Sequence, residues 1–205
     1  MDKSCELYLR FRADALPGMP ELAALVGETA PAAILIAGDA RAAAGGALHA
    51  FMEAARRLTV AILIENDVKL AREIGVDGVH LRDVARFAEA RRTLGEEKSI
   101  GVSSPLSRHD AMTMAELGAD YIAFGETGAG DRDAEALAEM IGWWDELFEV
   151  PCVAWLKGDE TEAGVRRLIE AGADYLAVGA DAGDTVRLRK IAAMASGGDD
   201  PARSI

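Results

Sequence analysis

Glu73-Ile74-Gly75-Val76-Asp77-Gly78-Val79-His80-Leu81 returns as Glu116-Leu117-Gly118-Ala119-Asp120-Tyr121-Ile122-Ala123-Phe124, and again as Glu170-Ala171-Gly172-Ala173-Asp174-Tyr175-Leu176-Ala177-Val178. Each copy reads as a helix end, a glycine able to take the left-handed conformation that closes a helix, a short turn and a buried strand. The glycines stand 43 and 54 residues apart, about two strand–helix units each. Repetition of one such unit is how a (β/α)8 barrel is built. In that fold the repeated Gly and Asp lie at the N-terminal ends of strands, the face that carries stability rather than chemistry.

Outward from this echo the chain alternates short β-type runs with helical stretches. The runs are ELYLRF (6–11), AAILIA (32–37), VAILI (60–64), GVHL (78–81), SIGV (99–102), YIAF (121–124), CVAW (152–155) and YLAV (175–178). Most are continuously apolar, the pattern of parallel strands buried on both faces. Between them, residues 106–117 place Ala111, Met114, Ala115 and Leu117 on one helical face, and residues 160–171 do the same with Val165, Leu168 and Ile169. No Pro/Gly/Ser-rich linker divides the chain. Residues 1–195 are therefore expected to form one α/β domain, a (β/α)8 TIM barrel, with a doubly wound open sheet as the alternative. Gly45-Gly46 lies inside the second helical stretch and is expected to weaken or kink it. The polar segment 196–205 is expected to be a frayed tail.

The 205 residues carry 35 acidic and 22 basic side chains, a net charge of −13. That balance disfavours a nucleic-acid partner. No apolar run approaches the roughly 20 residues of a membrane span. The first residues interleave charge with apolar side chains, unlike a signal peptide. Cys5 and Cys152 form no metal-binding spacing and are expected to be thiols. A cytoplasmic location fits these features.

In a barrel the chemistry lies where strands end and helices begin. Those junctions hold Arg10 and Arg12; Gly38 and Asp39; Glu65, Asn66 and Asp67; His80, Arg82 and Asp83; Ser103 and Ser104; Gly125, Glu126 and Thr127; Trp155, Lys157 and Gly158; and Gly179, Ala180 and Asp181. Asp39, Asp67, Asp83 and Asp181 stand where a carboxylate caps free backbone N–H groups. A carboxylate cluster there is also the donor set for Mg²⁺. His80, in an apolar run, reads as a packed and hydrogen-bonded histidine before a catalytic one. His49 and His109 read as structural or exposed. Trp155 at a strand end is placed to wall a ligand pocket. The loops after the seventh and eighth strands, with Lys157, Gly158 and Gly179, suit a phosphate held by backbone N–H groups. Trp143-Trp144 is expected on an outer helix with at least one ring packed on the barrel. It is also the only candidate for a protein-interaction patch.

These residues resemble the thiamine-phosphate synthase/TenI family over most of the chain, best across residues 61–178. ILIENDVKLAREIGVDGVHL, SIGVSS, GADYIAFG, EVPCVAW and EAGADYLAV follow that family's order and spacing. The resemblance implies a (β/α)8 barrel. It implies a transferase of thiamine biosynthesis that couples a hydroxymethylpyrimidine diphosphate to a thiazole phosphate with loss of diphosphate, assisted by Mg²⁺. It keeps Ser103 for a phosphate or diphosphate contact and puts the metal Asp on Asn66; Asp67 and Asp83 are the expected substitute metal ligands, and Arg82 and Lys157, beside Gly158 and Gly179, the expected substitute cations for the departing diphosphate. Glu126 stands where the thiazole-tautomerase branch has a histidine and is the candidate general base.

The chain departs from the family pattern at several of these places. The Gln-Leu-Arg-x-Lys motif ending the family's second strand is replaced by Leu35-Ile36-Ala37-Gly38-Asp39, with neither base. The position of the family's second metal Asp falls on Ala85. Residues 126–131 replace a Pro/Thr/Lys loop, and Leu156-Lys157 stands for Gly-Gly. The competing expectation is a non-catalytic or re-purposed barrel that binds a small ligand at an acidic mouth, with thiamine as a cationic example.

Overall fold

Runs of Ile, Val and Leu bounded by glycine and acidic turns form strands because β-branched side chains pack best on a pleated surface. The computed structural model describes residues 5–43, 46–104, 107–126, 134–180 and 185–197. The strands are β1 (Glu6–Arg12), β2 (Ala33–Ala37), β3 (Ala61–Glu65), β4 (Gly78–Leu81), β5 (Ser99–Ser104), β6 (Tyr121–Phe124), β7 (Cys152–Trp155) and β8 (Tyr175–Gly179). They alternate with helices α1 (Met19–Thr29), α2 (Gly46–Arg57), α3 (Val68–Ile74), α4 (Phe87–Leu94), α5 (Arg108–Glu116), α6 (Ala134–Leu147), α7 (Glu162–Glu170) and α8 (Thr185–Ala195). Every strand pairs in parallel with its sequence neighbours, and β1 pairs with β8 to close the barrel. The closed (β/α)8 reading holds, and the open sheet is excluded by the β1–β8 register Glu6↔Tyr175 to Arg10↔Gly179.

The strand period of two sorts the core into two populations. Leu7, Leu9, Phe11, Ile34, Ile36, Ile64, Leu81 and Phe124 pack outward beneath the helices, together with the inward ring Trp144 of α6. Tyr8, Leu35, Leu63, Tyr121, Ala123, Val153, Trp155 and Ala177 fill the barrel itself. Three aromatic side chains, Tyr8, Tyr121 and Trp155, in so small a lumen require space beside them. Gly101 provides it, since a β-carbon there would lie 1.8 Å from Tyr121 Cζ.

The repeated segment behaves as its sequence suggests. Gly75, Gly118 and Gly172 all have positive φ (69°, 89° and 100°). The repeated Asp clasps the preceding strand with two bonds. The N–H groups of Asp77, Asp120 and Asp174 donate to the carbonyls of Ile62, Ile100 and Cys152. Their carboxylates accept the N–H groups of the same three residues at 2.7–2.8 Å.

Several boundaries differ from the sequence reading. α7 begins at Glu162, because the Thr161 hydroxyl accepts from Gly164 N and caps the helix, leaving Glu160 outside it. Leu117 is 59% exposed, because α5 ends at Glu116 and the chain turns toward β6 through Gly118. Gly46 is the first residue of α2 rather than an interior kink. Ser103 and Ser104 end β5, where the junction reading put them, so the strand runs two residues past SIGV. Cys5 and Cys152 are both buried thiols. Gly45, Leu106, Thr127, Asp181 and residues 198–205 of the expected tail lie outside the described residues.

Candidate active site

At the C-terminal mouth the inward positions become polar: Arg10 of β1, Glu65 of β3, His80 of β4, Ser103 of β5, Glu126 after β6 and Trp155 of β7. Glu65, His80 and Ser103 are buried at 7%, 0% and 7% exposure. A carboxylate and an imidazole survive there because each is held by hydrogen bonds.

His80 is the hub. Its Nδ1 lies 2.9 Å from Tyr121 Oη, and its Nε2 lies 2.9 Å from Ser103 Oγ and 3.3 Å from Glu126 Oε2. The Ser103 hydroxyl donates to Glu126 Oε2. Tyr8 Oη lies 2.9 Å from Tyr121 Oη. Hydrogen counting sets the directions for a singly protonated imidazole. Ser103 spends its one proton on Glu126, so its oxygen accepts from His80 Nε2–H. His80 Nδ1 then accepts from the Tyr121 hydroxyl, and Tyr121 accepts from Tyr8. Burial pushes both phenols well above the ordinary tyrosine range, which keeps them protonated donors. A single chain of donors thus runs from inside the barrel to the Glu126 carboxylate.

Glu126 also organises charge. Its Oε1 stands 2.8 Å from Arg82 Nε, and Glu65 Oε1 lies 3.9 Å from both Arg82 Nε and Arg10 Nη2. Glu65 Oε2 accepts from Gly38 N at 2.9 Å, which turns the end of β2 toward the mouth. Above these groups opens a cavity of about 360 Å³, lined by Arg10, Arg82, Glu126, Lys157, Gly158 and Arg187, with Gly125, Gly179, Trp155 and Leu156. Four cations and one carboxylate line it, and Glu65 and Glu160 pair with three of those cations, so the mouth keeps a small excess of positive charge although the chain is acidic. Trp155 is 6% exposed and walls this cavity, as its position at a strand end suggested.

The expected residues therefore fall into two groups. Ser103, Glu126, Arg82, Lys157, Gly158 and Gly179 converge on the mouth. Asn66, Asp67 and Asp83 do not converge. Asn66 takes a left-handed φ of 60°, and its Oδ1 accepts from Arg82 N at 2.9 Å. Asp67 caps α3 through Leu70 N and pairs with Arg41, while Asp83 Oδ1 accepts from Ala85 N. For Asp67, burial acts to raise its pKa. The Arg41 hydrogen bond, Leu70 N–H and nearby guanidinium charge outweigh it and hold the carboxyl below the ordinary range. Asp39 caps its own turn through Ala42 N. Among the described residues no group of three His, Cys, Asp or Glu side chains is placed to hold a metal ion. These donors do not fit Mg²⁺ as arranged.

Tyr8, Tyr121, Arg187 and Glu160 escaped the sequence reading. The strand period was the available signal for the tyrosines, since Tyr8 lies two residues before Arg10 and Tyr121 four before Gly125. Arg187 sits on α8 with no sequence mark of its inward reach.

The chain matches the family described as thiamine monophosphate synthase over residues 39–181. It is 46% identical over 125 residues to a thiamine-phosphate synthase of Erythrobacter litoralis (strain HTCC2594), covering 58% of each chain. It is 42% identical over 123 residues to the thiamine-phosphate synthase of Rhodospirillum centenum (strain ATCC 51521 / SW), again 58% of each. The match thus spans under two thirds of these relatives' length. In fold it is similar to thiamine phosphate pyrophosphorylase from Pyrococcus furiosus, with a TM-score of 0.71 at 20% identity over 97% of this chain and 99% of that one. It is also similar to (S)-3-O-geranylgeranylglyceryl phosphate synthase from Thermoplasma acidophilum, with a TM-score of 0.62 at 12% identity over 94% of each. The barrel, the repeated clasps and the match over residues 39–181 together place this chain in the thiamine monophosphate synthase (TMP-TENI) family.

Proposed function

We propose that the chain is a thiamine-phosphate synthase-like enzyme that joins a hydroxymethylpyrimidine diphosphate to a thiazole phosphate at the barrel mouth. The observation that carries this reading is the cavity of about 360 Å³ lined by Arg10, Arg82, Lys157 and Arg187, which exceed the carboxylates paired with them, Glu65, Glu126 and Glu160. The bond from the pyrimidine methylene carbon to the diphosphate oxygen breaks, and diphosphate leaves with the electron pair. The thiazole nitrogen lone pair then forms the new C–N bond. Fixed cations aimed at a departing diphosphate stabilise the charge that develops on it. Arg82 is held for this by Glu126, which is itself fixed by Ser103 and His80. Glu126 is also the candidate acid–base group lining the mouth in this reading. We further read the protein as cytoplasmic, on its two buried thiols.

The test is formation of thiamine phosphate from the two substrates by highly purified protein, with Mg²⁺ present and an active family enzyme alongside. Omitting Mg²⁺ tests the metal requirement that the resemblance implies. Product is expected, and Arg82→Ala and Lys157→Ala are each expected to lower turnover by about 10²-fold. No product from folded protein beside a working control overturns the reading. A second reading rests on the end of β2, where Ala37-Gly38-Asp39 supplies no base and Gly38 N is already bound by Glu65. In that reading the barrel keeps the mouth, binds an anionic ligand and makes no product. The four cations favour an anion there over a cation such as thiamine.

A further inference from the structure

The loop after β7 already holds an anion, and that anion belongs to the protein. Lys157 N and Gly158 N both donate to the Glu160 carboxylate, the second to Oε2 at 3.0 Å. Arg187 Nη2 reaches over from α8 and donates to the same Oε2 at 3.1 Å. The Glu160 side chain is only 11% exposed. Two consecutive backbone N–H groups and a guanidinium converging on one carboxylate make the donor set by which loops hold phosphate. The cradle needs its glycine, because Gly158 has φ 111°, which a side chain would strain. Lys157, Gly158 and Arg187 also line the mouth cavity, so the occupied cradle and the proposed substrate space are continuous. Thr161 caps α7 without Glu160, so no helix-capping duty accounts for the carboxylate's position.

We propose that Glu160 is a built-in competitor for the anionic group of the ligand, and that its departure from the cradle accompanies binding of a phosphate there. This rests on the reading of the mouth as an anion site. Glu160 then sets how tightly the protein holds phosphate. A ligand must exchange one set of charge-assisted hydrogen bonds for another, so the free protein binds phosphate weakly. Only a ligand with further contacts in the cavity repays the exchange.

Inorganic phosphate is the probe, titrated by calorimetry and by the rise in unfolding temperature against wild type, Glu160→Gln, Glu160→Ala and Glu160→Ala/Arg187→Ala. Glu160→Gln keeps the size of the side chain, and circular dichroism checks that each variant is folded. Phosphate is expected to bind both single variants about tenfold more tightly than wild type, the scale of one charge-assisted hydrogen bond. The double variant is expected to lose that gain. Equal affinity in wild type and both single variants overturns the proposal, as does a gain that survives loss of Arg187, or no binding by any variant. The outcome separates from that of the synthase reading. Product formed by a protein whose Glu160 variants gain no phosphate affinity removes only the competitor. A phosphate gain in a protein that forms no product removes only the synthase activity.

Discussion

His80 shows how one residue serves core and mouth together. It is fully buried and stacks at 11° on Tyr121 with ring centroids 5.7 Å apart. Both its nitrogens are engaged, one toward the phenols and one toward Ser103 and Glu126. Packing thus fixes the ring, and the ring orients the carboxylate. Glu126→Gln keeps the shape but removes the charge that positions Arg82 and accepts from Ser103. Turnover in the coupling assay is expected to fall by about 10²–10⁴-fold, the range of an acid–base or charge-positioning group, with the melting profile little changed. Gly101 carries a different constraint. Gly101→Ala forces Tyr121 from its place and breaks its bonds to Tyr8 and His80. It is expected to lower stability by about 1–3 kcal/mol, read from the denaturant midpoint. A midpoint equal to wild type would mean that the ring has another place to go.

At the scale of the element, the repeated unit is a helix, a left-handed glycine and an aspartate clasp. Asp77, Asp120 and Asp174 each satisfy an early N–H of the preceding strand, where a parallel ladder leaves a donor without its neighbour. Asp77→Ala leaves the N–H of Ile62, itself 1% exposed, without this acceptor. The expected cost is about 1–3 kcal/mol in chemical denaturation, and Asp77→Asn, which keeps an acceptor oxygen, is expected to recover part of it. Equal losses for both substitutions would assign the cost to charge rather than to the hydrogen bond. The three copies were legible in sequence because glycine and aspartate recur two residues apart before each strand, whereas the clasp itself closes over 15, 20 and 22 residues.

Across the whole molecule, an acidic chain keeps four cations against Glu65, Glu126 and Glu160 at its mouth, while other carboxylates pair at the surface. Asp67, paired with Arg41, is held below the ordinary carboxylate range, as are Asp14 beside Arg12 and Glu28 beside Arg189. A folded value below the unfolded one adds stability above the unfolded value, about 4, and that stability is lost as pH falls through the folded value. The denaturant midpoint is therefore expected to hold from pH 7 to about 5 and to decline below about 4. Asp67→Asn, which still caps α3, is expected to shrink that decline. An unchanged acid limb in Asp67→Asn would show that the pair with Arg41 adds nothing measurable. The exposed pairs of Asp14 and Glu28 are screened by solvent and add little.

The scaffold was legible from the order of residues alone. Continuous runs such as AILIA and AILI have no polar face, so they must be buried on both sides, and eight such strands joined by helices have few solutions. The caps were legible too, because Asp39, Asp67 and Asp83 act on backbone within three residues of themselves. Which junction residues meet was visible only once the chain was folded. Tyr8 and Tyr121 are 113 residues apart and touch because β1 and β6 face one another across a closed barrel. Asn66, read as a metal ligand by resemblance, turns back on Arg82 N. Glu160, read as the start of a helix, instead fills the cradle made by its own loop and by Arg187, 27 residues away. Hydrophobic period and capping are local and survive in one dimension. Inward facing at a strand end depends on barrel closure and strand stagger, which belong to the whole sheet.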